Sequence, residues 1–67
     1  MPFIKLEAGK IDKEKKEKLI NEFTRVASDI LGISEEAFIV LIKENEMDNW
    51  GTGGKLLSKV LAERGNK

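Results

Sequence analysis

Directly behind the initiating methionine of this chain stands Pro2. While Met1 is attached, the Pro2 nitrogen belongs to a tertiary amide and has neither a proton nor a basic lone pair. Once Met1 is trimmed, a step favoured by the small residue that follows it, that nitrogen becomes a secondary amine on a rigid ring. Free α-amino groups titrate at roughly 7.7 to 8.0, so such an amine sits close to the range in which a general base works best. Burial and a neighbouring cation both disfavour its charged form and push it toward the neutral, proton-accepting state. The sequence has neither Cys nor His. Thiol nucleophiles, imidazole bases, catalytic triads, disulfide staples and Cys/His zinc sites are therefore excluded. As an ordinary second residue, Pro2 would simply start an edge strand.

A second segment invites a chemical reading. Gly51-Thr52-Gly53-Gly54-Lys55 is rich in glycine and followed by a lysine, as phosphate-cradling loops are. The spacing does not fit. A Walker A loop needs four residues between its first glycine and Gly-Lys, then Ser or Thr, whereas Leu56 follows Lys55 and no strand leads directly into the loop. A tight turn or hairpin is the simpler form for these glycines. Glu44, Glu46 and Asp48 read as exposed loop acids and carry no assigned role. Twelve Lys plus Arg against twelve Asp plus Glu leave no formal net charge, which argues against a dedicated nucleic-acid binder. The longest apolar run, Ala37 to Ile42, is too short to span a bilayer, and the N-terminus lacks a signal-peptide pattern. The expectation is a soluble, cytoplasmic protein.

The elements that must position Pro2 follow from patterning. With 67 residues the chain is a single domain, 1–67, near the size at which one core barely offsets the entropy lost on ordering. From Pro2 to Glu7, Ile4 and Leu6 alternate with Lys5 and Glu7, as in a short half-buried strand, and Ala8-Gly9 breaks it. Asp12 caps a helix opened by Lys13, in which Leu19, Ile20, Phe23, Val26, Ala27, Ile30 and Leu31 form a wide apolar stripe. Glu14 and Lys18 pair on its wet face, and Gly32 ends it. Ser34-Glu35-Glu36 reads as a capped turn before a second strand, Phe38 to Ile42, whose unbroken apolar run calls for cover on both faces. Phe3, Phe23 and Phe38 are read as core. Beyond the glycine-rich turn, Leu56, Leu57, Val60 and Leu61 give a short helix ending at Gly65, with Asn66-Lys67 frayed.

Two strands joined by a long helix make a parallel β-α-β unit, because the connection is a crossover and not a hairpin. One helix cannot cover both faces of the sheet. A lone unit would leave a strand edge and apolar surface in water, so self-association is expected on physical grounds.

Taken together, the proline behind the initiator, the first strand, Gly9-Lys10, the helix containing Leu19-Ile20, the apolar second strand and Trp50-Gly51-Thr52-Gly53-Gly54-Lys55 resemble the 4-oxalocrotonate tautomerase family. The likeness runs from Pro2 to about Lys59. It implies an α/β fold, a β-α-β tautomerase-like unit with a glycine-rich turn and short tail. It further implies a homohexamer built as a trimer of dimers, with active sites at subunit boundaries. The implied chemistry is cofactor-free and metal-free transfer of a proton between oxygen and carbon of a small enol or dienol acid. Under this resemblance Pro2 matches the catalytic proline, Lys10 falls near the first substrate-binding arginine, and Trp50 matches the pocket aromatic. Ile39 occupies the substrate-binding position where the best-known members carry a second arginine. Its aliphatic side chain favours a monoacid or another enol, or requires Lys43, Arg25 or Arg64 to reach the pocket from a neighbour. Lys10 would hold a carboxylate or carbonyl oxygen and Trp50 would supply a dry wall. Each also has a plainer reading, as a surface lysine before a helix and as packing at a subunit contact. Related proline-first families catalyse hydration, dehalogenation and decarboxylation. A noncatalytic assembling module is the alternative from another class.

Overall fold

The computed structural model describes residues 1–64, so the readings made for Gly65, Asn66 and Lys67 lie outside the described residues. Strand β1 covers Phe3–Ala8, one residue later at each end than its alternation suggested. Helix α1 runs Lys13–Leu31. Its start and stop are those written in the sequence: the Asp12 carboxylate accepts the Lys15 N–H at 2.8 Å, and Gly32, at φ 68°, closes the helix with its N–H on the Ser28 carbonyl. A 3-10 turn, Glu35–Ala37, is capped by Ser34, whose hydroxyl accepts the Glu36 N–H. Strand β2 then covers Ile39–Glu44.

β1 and β2 pair in parallel, with Phe3 opposite Ile39 and Ala8 opposite Glu44. The ladder extends one bond beyond each end, Ile39 N–H to the Pro2 carbonyl and Asn45 N–H to the Ala8 carbonyl. Strand alternation then sorts the side chains into two populations. Ile4, Leu6, Ala8, Val40 and Ile42 are half-buried, on the sheet face that α1 packs against. Phe3, Ile39 and Leu41 fall on the other face and are 59%, 52% and 46% exposed.

No described residue is fully buried. The core expected for Phe3 is therefore not found within one chain, because Phe3 belongs to the sheet face that α1 does not cover; Phe23 and Phe38 are half-buried. The Glu14–Lys18 pair is not among the ion pairs of the described residues, whose helix-surface pair is Glu22 with Arg25.

After a second 3-10 turn, Met47–Asn49, the chain forms a miniature hairpin of β3 (Gly51–Thr52) and β4 (Lys55–Leu56). Its two central residues, Gly53 and Gly54, have φ of 59° and 81°. Positive φ at both central positions is the requirement of the two-residue turn whose twist matches antiparallel strands, and glycine meets it without steric cost. Helix α2, Leu57–Arg64, completes the described chain.

Candidate active site

Pro2 lies at the head of β1, half-buried, with its carbonyl held by the Ile39 N–H at 3.1 Å. Met1 in front of it is 88% exposed, so the bond whose cleavage would free the prolyl nitrogen is at the surface. Ile39, the partner of Phe3 in register, is the first residue of β2 at this same end of the sheet. Pro2 and Ile39 are thus neighbours by strand pairing.

Lys10 and Trp50 are at the other end. Lys10 follows the tail of β1 in the link to α1, exposed, on the rim of a cavity of about 330 Å³ lined also by Glu44, Asn45, Glu46, Met47 and Asn49. A strand of 6 residues holds its ends roughly 17 Å apart at about 3.3 Å per residue, so Pro2 and Lys10 do not meet within one chain. The four residues singled out from the sequence therefore fall into two groups, Pro2 and Ile39 at one pole of the chain and Lys10 and Trp50 at the other.

Trp50 is fixed by three hydrogen bonds. Its N–H donates to the Met47 carbonyl at 3.2 Å, its carbonyl accepts the Leu57 N–H at 2.9 Å, and its indole Nε1–H donates to the Asn45 carbonyl at 3.4 Å. The ring is half-buried and borders a second cavity, of about 430 Å³, with Glu7, Asn45 and Asn49. Asn45 and Asn49 are common to the walls of both cavities.

Two residues at this pole carry structure that the sequence reading left unassigned. The Glu44 carboxylate accepts the Ile11 N–H at 2.9 Å and the Lys16 ammonium at 3.1 Å through the same oxygen. The backbone N–H of Ile11 and then Lys16 hold this carboxyl below its ordinary range, and the charge of Lys10 adds to the effect. Glu44 thereby ties the β1–α1 link and the first turn of α1 to the end of β2. Asn45 is the second. Its side-chain N–H donates to Glu7 at 3.1 Å while its carbonyl takes the indole. That bond, followed by the charge of Lys5, holds the Glu7 carboxyl below its usual value. Asn just after an apolar strand is a recognisable turn signal, but nothing in its spacing announces a brace for a residue further along. Among the acids of this segment, Asp48 has the plainest task, accepting the Ser58 hydroxyl at 3.1 Å and so fastening the second 3-10 turn to α2.

Of the cations named as stand-ins for an arginine at Ile39, Arg25 is paired with Glu22 on the surface of α1. Lys43 lies opposite Glu7 across the β1/β2 pair. Lys43 is thus at the end of the sheet away from Pro2, whereas Arg25 borders the link 32–35 that leads into β2.

Comparison with known proteins places this arrangement. The chain matches the family described as "Tautomerase enzyme" over residues 3–60, a span that begins immediately after Pro2. It is 36% identical over 61 residues to "Probable tautomerase K2" of Dickeya dadantii (strain 3937), covering 88% of this chain and 91% of that protein. It is 35% identical over 60 residues to the 2-hydroxymuconate tautomerase of Bacillus subtilis (strain 168), covering 87% of this chain and 95% of that one. A solved structure of a 4-oxalocrotonate tautomerase homologue, 34% identical, superposes with a TM-score of 0.78 over 87% of this chain and 94% of its own. With the parallel β-α-β unit, the glycine hairpin and the family match converging over nearly the whole chain, this protein belongs to the tautomerase family, in the company of 4-oxalocrotonate tautomerase, and is an enzyme of that kind.

Proposed function

We propose that the chain, as one domain spanning 1–67, interconverts enol and keto forms of a small carboxylic acid, with the nitrogen of Pro2 as the base once Met1 has been removed. The neutral amine would accept the enol hydroxyl proton and return a proton to carbon, with no cofactor. Lys10 would hold a carboxylate or the carbonyl oxygen on which negative charge grows, and Trp50 would form a wall that limits water. Ile39, beside Pro2 in the ladder, would offer apolar contact and no charge.

The observation that carries this reading is the separation of the two poles of β1 by roughly 17 Å, beyond the reach of one substrate, in a chain of the tautomerase family. A working site would then join Pro2 and Ile39 of one subunit to Lys10 and Trp50 of another. The exposure of Phe3, Ile39 and Leu41 supports such an assembly, for which a trimer of dimers is the proposed form. No described helix is long and apolar enough to cross a membrane. The composition-based reading of a cytoplasmic enzyme without nucleic-acid partners is part of this proposal.

The test is enol ketonisation followed by ultraviolet absorbance, on protein whose intact mass shows loss of Met1. Pro2→Ala should lower kcat/KM by about a hundredfold or more, the usual scale of general-base catalysis. A Pro2→Ala protein as active as its parent, or a parent active with Met1 fully retained, would reject proline as the base.

A further inference from the structure

We infer that the cavity beside Lys10 selects substrates bearing a single carboxylate and an uncharged far end, with Glu46 as the residue that turns away a second negative charge. This rests on the reading of Lys10 as the anion-holding group of the site. The cavity is large enough for a small organic acid, at about 330 Å³. Its lining holds one cation, Lys10, against two carboxylates, Glu44 and Glu46, and the remaining polar walls are the neutral amides of Asn45 and Asn49.

The two carboxylates differ. Glu44 is engaged by the Ile11 N–H and by Lys16, so its charge is largely answered inside the protein. The Glu46 carboxylate makes no ion pair or side-chain hydrogen bond among the described residues. Only its backbone is engaged, its carbonyl accepting the Asn49 N–H at 2.8 Å. A monoacid docked on Lys10 can turn its neutral end to the amides of Asn45 and Asn49. Within this cavity the second carboxylate of a diacid would meet Glu46, with Lys10 already occupied. Like charges near a protein surface repel by about 1 kcal/mol or more at contact distances, worth about fivefold in affinity.

A matched pair of unreactive ligands isolates this effect from catalysis. Sorbate and muconate share a six-carbon diene and differ in that muconate carries a carboxylate at both ends. Calorimetric titration of the Met1-processed protein should show sorbate binding about fivefold or more tightly than muconate. Glu46→Gln should bring the two within about twofold, and Glu46→Lys should favour muconate, with sorbate affinity little changed by either. Both variants keep the backbone bond that shapes the turn. Tighter binding of muconate by the parent, a ratio unmoved by both substitutions, or no binding of either ligand at millimolar concentration would overturn the inference. Pro2→Ala, titrated alongside, should keep the parent's ratio. Full tautomerase activity in that variant would refute the proline mechanism while leaving the selectivity result intact.

Discussion

Asn45 links two residues that are far apart in the sequence, Glu7 and Trp50. Its carbonyl holds the indole of Trp50 and its amide is braced by Glu7, so the orientation of the pocket wall depends on a bond made at the tail of β1. Trp50 is the sole tryptophan of the sequence, so its fluorescence reports this wall without interference. Asn45→Ala removes the brace while keeping the carbonyl. Its emission should shift to the red as the ring gains water, and KM should rise by about threefold to tenfold with a smaller change in kcat, the scale of one lost hydrogen bond. Unchanged emission with unchanged KM would deny Asn45 any positioning part. Glu44 permits a test by pH. Its carboxyl titrates below the ordinary value near 4.5 in the folded protein. Stability from its contacts with Ile11 and Lys16 is therefore present above the unfolded value and lost as pH falls through the lowered folded one. Glu44→Gln should be less stable than the parent at pH 7, and the gap should close near pH 3, as chemical denaturation at the two pH values would show.

At the level of elements, the ends of α1 and the glycine hairpin were legible because their determinants are local. Asp12 and Gly32 announce a cap and a stop through their own backbone and side-chain preferences, and the helix begins and ends there. Gly53-Gly54 likewise announces a turn requiring positive φ at consecutive positions. Gly53→Ala and Gly54→Ala should each cost about 1 to 2 kcal/mol by forcing a Cβ into that region. Asp12→Ala should cost about 1 kcal/mol. Thermal melts of the three variants would check the ranking. What stayed hidden was long-range. The pairing of Glu44 with Ile11 and Lys16, and of Asn45 with Glu7, joins segments distant in sequence, and no short-range periodicity encodes it. The misplacement of Phe3 has a different origin: its aromatic character suggested a core, although the alternation that buries Ile4 and Leu6 already puts Phe3 with Lys5 and Glu7 on the open face.

For the molecule as a whole, the chain is extended for its length. Its Cα radius of gyration is 15.7 Å, against about 11 Å for a compact domain of this size. The extents of 45 × 24 × 18 Å and the lack of any fully buried described residue point the same way. In the proposed assembly the open sheet face is covered by other copies of the chain, and the melting temperature should then rise with protein concentration. Leu41→Glu, placing a charge on the open sheet face, should dissociate the proposed assembly and abolish activity together. Sedimentation and ketonisation assays on the same sample would check this, and a monomeric variant with full activity would contradict a shared site.

The distance along β1 also has a genetic reading. If Pro2 serves one neighbour and Trp50 another, a Pro2→Ala chain and a Trp50→Ala chain are each defective in a different half of the machinery. Refolded as a mixture, they should rebuild intact pockets at about one position in four, by random assortment of protomers. Two inactive proteins would then complement each other in a test tube.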